Sequence, residues 1–332
     1  MKVAIIDFSL KRNLSEKIKN SLDDLNVNYD SYYMESSEDL NKISSGGYSH
    51  VVVRAPCDIN ERKQLANEVI YLLENYTNIK VLPTLKELLP YENKRYLSLC
   101  LEMNNIPHPK TNVFFTKESA TNFIKSAQYP VIYKSNIGAA SSGVRIIENE
   151  KEANSVIKKA FGLHPYMARG NAPTRKKCGI TLPEVGRSEK HFVLFQKMVK
   201  FKWEWRLIKV NDYVIAYKKL QDENGFSSGS GKFGYGLPPE ELLKLNEENS
   251  RKLGINVAAF DYFETEDGQF LVNEIQCLFG AKPDYKDYDS KMFDENMNPI
   301  YIQVDNGNFN VMQGDICKHE VWDLRMKEFL NL

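Results

Sequence analysis

The sequence lacks any charge imbalance: Lys and Arg total 44, Asp and Glu total 44, and the formal net charge at pH 7 is zero. A chain without excess positive charge carries no overall electrostatic footprint for nucleic acid or for an acidic membrane surface. Long hydrophobic runs are missing too. The apolar stretch inside Met1 to Phe8 is too short for a signal-peptide core, and no later stretch approaches the roughly 20 residues of a bilayer-spanning helix. Cysteine is sparse. Cys57, Cys100, Cys178, Cys277 and Cys317 are odd in number, far apart and without a C-x-x-C pair, which disfavours a disulfide framework or a structural zinc site and suits reduced thiols. A cytoplasmic, soluble protein that engages neither nucleic acid nor membrane is the resulting expectation.

At 332 residues the chain is about twice the roughly 150 of a single compact domain, and its 42% hydrophobic content is too high for a disordered one. Lys2 to Ile6 and His50 to Arg54 read as buried strands. The segments from Leu14 to Leu25 and Glu61 to Glu74 have helical periodicity, and Val81-Leu82-Pro83 forms another short apolar run. Strands alternating with helices predict a parallel α/β unit over residues 1–89. A second unit is expected over 90–190, with extended segments at Asn112 to Phe115 and Pro130 to Lys134. Its stretch from His164 to Lys190 has weak periodicity and reads as a loop whose charges are solvated. A third unit is expected over 191–332, with strand runs at Phe192 to Met198, Trp205 to Val210 and Tyr213 to Lys219, a helix over Pro239 to Leu253, and a tail without an interpretable motif.

Three features carry chemistry. Val131 to Lys134 is an apolar strand ending on a lysine, followed by a Ser/Gly-rich stretch to Gly143-Val144. Backbone N–H groups in such a loop can approach a polyphosphate closely, although the pattern is neither a Walker loop nor a dinucleotide fingerprint and fits a flexible hairpin equally well. Glu204-Trp205-Arg206 and Tyr217-Lys218-Lys219 place cations on strands. Lastly, Asp267-Gly268 is a favoured centre for a two-residue hairpin loop, which would oppose Asp261 to Glu274 with Gln276 on the same face. Facing carboxylates repel unless something positive lies between them. Oxygen donors from Asp, Glu and Gln suit magnesium better than zinc, and a solvated hairpin is the alternative.

In order and spacing these pieces resemble the ATP-grasp superfamily, most of all its carboxylate-amine ligases, such as the ribosomal-protein glutamate ligases and D-alanine-D-alanine ligase. The resemblance runs from Asn93-Lys94 and Ile106-Pro107-x-Pro109-x-Thr111, through the Lys134 strand and its loop, Gln196 to Val199 and Glu204-x-Arg206, to Asp261 and Asn273-Glu274-Ile275-Gln276. It implies an α/β (α+β) fold in which two α+β subdomains clasp ATP behind an N-terminal α/β domain. It further implies Lys94, Lys134, Ser141, Ser142 and Gly143 at the ATP phosphates, and Gln196, Lys197, Met198 and Val199 at adenine. Arg206 and Lys219 would hold the transferred phosphoryl group. Asp261, Glu274 and Gln276 would hold one or two Mg2+ ions, with Mn2+ as a substitute. The family usually carries Asn where this chain has Gln276, which puts the second metal position in question.

The activity implied is ATP-dependent formation of an amide or peptide bond between a small-molecule or peptide carboxylate and an amine, through an acyl phosphate, with release of ADP and phosphate. A phosphotransferase and a non-catalytic ATP-binding protein are the alternatives, because function lies in the acceptor pocket rather than the scaffold. A homodimer is compatible with the sequence. Arg54, ending Val51-Val52-Val53, stands either as a solvated strand end or as a salt-bridge partner for a substrate carboxylate.

Overall fold

The computed structural model describes residues 1–8, 15–56, 60–137, 143–162, 166–167, 175–177, 180–182, 188–223, 225, 227, 231–279 and 288–332, without the side chains of 163–189. Ser141 and Ser142 lie outside the described residues, as does most of the 164–190 stretch.

The N-terminal sheet has the order β2-β1-β3-β4, all parallel, from β1 (Val3–Asp7), β2 (Tyr29–Tyr33), β3 (His50–Arg54) and β4 (Lys80–Leu82). Val3 to Ile6 and Val51 to Val53 are fully buried under Ile18 and Leu22 of α1 (Glu16–Asp24) and Ala66, Val69 and Ile70 of α3 (Asn60–Tyr76). Sequence periodicity passes over β2 and the following α2 (Ser37–Ser45). The first is a half-exposed edge strand, Tyr-Asp-Ser-Tyr-Tyr, and the second buries only Ile43, so neither carries an apolar run. The chain goes from β1 to β2 on one side and then crosses to β3 on the other. The strand ends at Asp7 and Arg54 therefore flank the switch point where such sheets place ligands.

A capping box between Thr84 and Glu87 starts α4 (Leu85–Leu88), and the second Glu87 oxygen accepts the Val257 N–H at 2.9 Å, tying this unit to the third sheet. Next comes α5 (Lys94–Met103). The central sheet, β5-β12-β6-β7, comprises β5 (Thr111–Phe114), β6 (Val131–Lys134), β7 (Val144–Ile147) and β12 (Val193–Lys197). Two mutually touching helices, α6 (Lys117–Ser126) and α7 (Glu150–Ala160), pack on it. Strand β12, grouped by sequence with the strands that follow it, pairs instead with β5 and β6, and Phe195 stacks on Phe123. Between β7 and β12, β8 (Tyr166–Met167) pairs with β11 (Ser188–Glu189), and β9 (Arg175–Lys177) with β10 (Ile180–Leu182).

The third sheet is antiparallel in the order β17-β16-β13-β14-β18-β19: β13 (Phe201–Val210), β14 (Tyr213–Lys219), β16 (Val257–Thr265), β17 (Phe270–Gln276), β18 (Ile300–Asp305) and β19 (Asn308–Gln313). Short β15 (Phe233–Gly234) pairs with β14, and α8 (Glu240–Leu253) packs Leu242 and Leu243 into the core before stopping at Gly254, whose φ of 64° suits a residue without Cβ. The tail thus contributes two strands. Its last helix, α9 (Trp322–Leu330), returns to α1 and buries Trp322, Met326 and Leu330 in the N-terminal core.

Candidate active site

The hairpin between β16 and β17 reaches the expected pairing by a different route. Its loop has three residues, Glu266, Asp267 and Gly268, rather than two: Thr265 N–H donates to Gln269 O at 2.9 Å and Gly268 N–H to Thr265 O at 3.0 Å, with Gly268 at φ 84°. That loop alone would shift every pair by one. Asn273 then bulges, so that Tyr262 opposes Val272 but Asp261 opposes Glu274 and Ala259 opposes Gln276. The bulge also turns Asn273, which strict alternation would aim away, onto the same face as Glu274. This explains why Asn273 went unassigned from sequence although it stands inside the quoted motif.

On that face the side chains form one connected network. Asp261, fully buried, accepts from Arg206 Nε at 2.7 Å and Nη2 at 2.6 Å, and from Lys219 Nζ at 2.8 Å. Lys219 also pairs with Glu204 at 3.1 Å. Glu204 accepts from Asn273 Nδ2 at 2.9 Å and from the Ser227 hydroxyl, and Asn273 Oδ1 accepts from Lys134 Nζ at 2.9 Å. Gln276 Oε1 stands 3.5 Å from Arg206 Nη2. Ser227 is a further residue that sequence reading missed, and Glu204, quoted in Glu204-x-Arg206, was given no role of its own. Glu204 was legible, two positions from Arg206 and hence on its face.

Electrostatics follow from this wiring. Burial would push the Asp261 carboxyl up, but Arg206 and Lys219 overcome it and hold the group below the ordinary carboxylate range. Burial works against the charge on Arg206 and Lys219 as well, and Asp261 keeps both above their ordinary values. Lys134 is the exception: burial, with Lys94 adding repulsion, pulls it down to about 8.

Lys94 and Lys134 converge for a local reason. Asn93 caps α5 by accepting Tyr96 N–H at 3.2 Å, and buried Asn136, just past β6, accepts the Lys94 and Arg95 N–H groups at 3.2 and 2.8 Å. The helix start is thus clamped to the strand end. Lys94 lies 3.7 Å from Glu274 and 3.5 Å from Glu92. Gly143 stands at the far side of the loop base, where its carbonyl accepts Ser135 N–H at 2.8 Å and an added Cβ would fall 1.7 Å from Ser135 Oγ. Gly143→Ala is therefore expected to cost about 1–3 kcal/mol in a denaturant titration, the usual penalty for overpacking.

Above the network opens a cavity of about 290 Å³. It gathers Lys94, Lys134, Gln196, Lys197, Met198, Val199 and Glu274 from the sequence-derived set. Its apolar walls are Ile132, Val144 and Ile146 of the central sheet and Phe263 of the third, which stacks on Phe201 at 4.2 Å. Between them, Lys197 N–H is committed to Lys110 O at 2.8 Å and the Gln196 side chain to Thr111 Oγ1 at 2.8 Å. The backbone of Met198, Val199 and Lys200 makes no backbone hydrogen bond to a described residue, leaving amide and carbonyl groups for a ligand edge. Arg206, Lys219, Asp261 and Gln276 lie under this cavity rather than in its wall.

Two sheets clasping an apolar slot, with lysines at one end, is also the arrangement of known folds. The biotin carboxylase domain of Hydrogenobacter thermophilus 2-oxoglutarate carboxylase superposes with a TM-score of 0.60 at 13% identity, over 85% of this chain and 64% of that one. A RimK domain ATP-grasp protein from Sphaerobacter thermophilus gives 0.51 at 16%, over 84% and 92%. D-cycloserine synthetase DcsG gives 0.56 at 12%, over 83% and 91%. The chain has the ATP-grasp fold. No protein-family model matches it, and no curated protein does. Among the described residues no helix is long and apolar enough to cross a membrane.

The donors for a divalent cation fit its chemistry. Asp261, Glu274 and Gln276 all offer oxygen donors on one face of β16 and β17. Among the described residues Asp261 Oδ1 carries a single hydrogen bond, from Arg206, and so keeps a lone pair. Glu274 has only the 3.7 Å contact to Lys94 as an ion pair among described residues.

Proposed function

We propose that this protein is an ATP-dependent ligase that activates a substrate carboxylate as an acyl phosphate and passes the acyl group to an amine. A carboxylate oxygen attacks the γ-phosphorus, the bond to the β-phosphate oxygen breaks, and ADP leaves. The amine nitrogen then attacks the acyl carbon, phosphate departs and the amine loses a proton. Supporting this reading is the continuity of one polar network from Lys134 at the cavity to Arg206 and Gln276 at the end of β17. Cations already held in place by carboxylates need not reorganise when charge develops on a phosphoryl group, which is how preorganised sites lower such barriers.

In this scheme the Met198 to Lys200 backbone reads the adenine edge, and Ile132, Ile146 and Phe263 sandwich the ring. Lys94 and Lys134 neutralise the phosphates. Arg206 and Lys219 orient the phosphoryl oxygens through their bonds to Asp261. Magnesium held by Asp261, Glu274 and Gln276 would add charge neutralisation there. The solved biotin carboxylase domain of similar fold is in complex with MgADP and bicarbonate, which supports a nucleotide and magnesium in a fold of this kind.

An ADP-release screen of carboxylate and amine pairs, with mass spectrometry of products, tests the proposal. Release that depends on both partners and yields an amide supports it. A stable phosphorylated product points to a phosphotransferase, and ATP binding without turnover on any pair to a non-catalytic binder.

A further inference from the structure

Arg325 of α9 is 1% exposed and sits at the seam between the N-terminal core and the third sheet. Its guanidinium carbon lies 3.6 Å from the Phe279 ring centroid and 4.4 Å from that of Trp322. Nε and Nη2 are buried and have no hydrogen-bond partner among the described residues. The rings stabilise the cation through its face, but the N–H groups point outward in the guanidinium plane, and a buried charge with unmet donors is costly unless something completes it.

None of the nearby carboxylates among the described residues does so. The Glu87 oxygens accept the Thr84 and Val257 N–H groups, each at 2.9 Å. Glu320 faces Lys17 at 3.9 Å, and burial pushes the Cys277 thiol up to about 12, so it is neutral. Two of the remaining charges here are positive. Arg54 acts on Arg325 by repulsion, and Lys63 is turned to Leu88 O at 3.2 Å. Asp7 ends β1 directly opposite Arg54. Arg54, at the switch point of the parallel sheet, thus adds positive potential at Arg325. Phe279, on which Arg325 rests, is three residues past Gln276, about 10 Å of extended chain.

We infer that Arg325, with Arg54 adding positive potential, anchors a non-reacting anionic group of the substrate, a carboxylate or a phosphate, at the seam between the N-terminal core and the third sheet. The reacting end would then reach the phosphoryl site near Gln276. The identity of that anchored molecule as a substrate rests on the ligase reading. Anion binding itself does not, since it needs no nucleotide.

Thermal melts of the full chain, without nucleotide, test it with two sets of probes: succinate and L-glutamate, then inorganic phosphate and glycerol 3-phosphate. Wild type is expected to gain stability with at least one set, and the set that acts distinguishes carboxylate from phosphate. Arg325→Met is expected to lose that response, to melt no lower than wild type because an unpaired buried charge is gone, and to keep ADP affinity. Should the Met variant fail to fold, Arg325→Lys replaces it, with binding expected about 10-fold weaker because an ammonium cannot reproduce the planar fork. A wild type that answers to neither set overturns the inference, as does a variant that answers like wild type. Absent ADP binding with an intact anion response would instead sink the nucleotide reading and spare this one.

Discussion

Glu274→Gln is expected to lower ATP turnover at saturating magnesium by about 10²–10³-fold, the scale for removing one preorganised electrostatic group, while leaving the melting temperature of the free protein unchanged. The reason lies in how differently the two opposed carboxylates are held. Asp261 is locked by Arg206 and Lys219, so neutralising it would strand the buried Arg206 cation and leave Lys219 with Glu204 alone, at a cost of about 3–5 kcal/mol. Glu274 contributes only a long ion pair to Lys94, which keeps Glu92 as a second partner. A glutamine there preserves shape and removes the charge without orphaning anything. Its effect should therefore fall on function alone, and Asp261→Asn should damage stability as well. Normal turnover by Glu274→Gln would remove the metal assignment and the phosphoryl-transfer scheme with it.

The same hairpin shows what can be read from sequence and what cannot. Asp267-Gly268 marks a turn, but dipeptide chemistry does not distinguish a two-residue loop from a three-residue one, and a bulge carries no sequence mark of its own. The two departures cancel, so Asp261 opposes Glu274 all the same. Asn273 was lost in the cancellation, because its face depends on the bulge. Lys94 and Lys134 were legible as residues at element ends; that they meet depends on the buried Asn136, which reads as an ordinary loop residue. Buried strands with apolar runs, such as Val51 to Val53, were plain, whereas β2 and the tail were not. Exposed edges such as β19 alternate too weakly to stand out, and α9 buries Arg325 and Asp323 where a periodic reading expects apolar residues. The partner of β12 is a long-range property that local pattern does not contain.

Lys134→Met is expected to weaken ATP binding by about 10–100-fold, the equivalent of a lost charge-assisted hydrogen bond, and to abolish a pH dependence that wild type shows. Burial and Lys94 pull the free-state value of Lys134 down to about 8 from the ordinary 10.5. Phosphates beside it would raise that value again, so binding takes up a proton above about pH 8. Wild-type affinity should fall by up to about 10-fold per pH unit from there, and calorimetry in buffers of different ionisation enthalpy should register the uptake. The free protein has the opposite trend. Between about 8 and 10.5 the unfolded chain holds a proton that the folded one has lost, so Lys134 makes folding more favourable as pH rises through that window. Methionine fills the volume of the lysine stem but loses the bond to Asn273 at 2.9 Å, so the fold should survive and both pH effects should vanish together. Unchanged nucleotide affinity in the variant would place the phosphates elsewhere and leave the cavity without its proposed ligand.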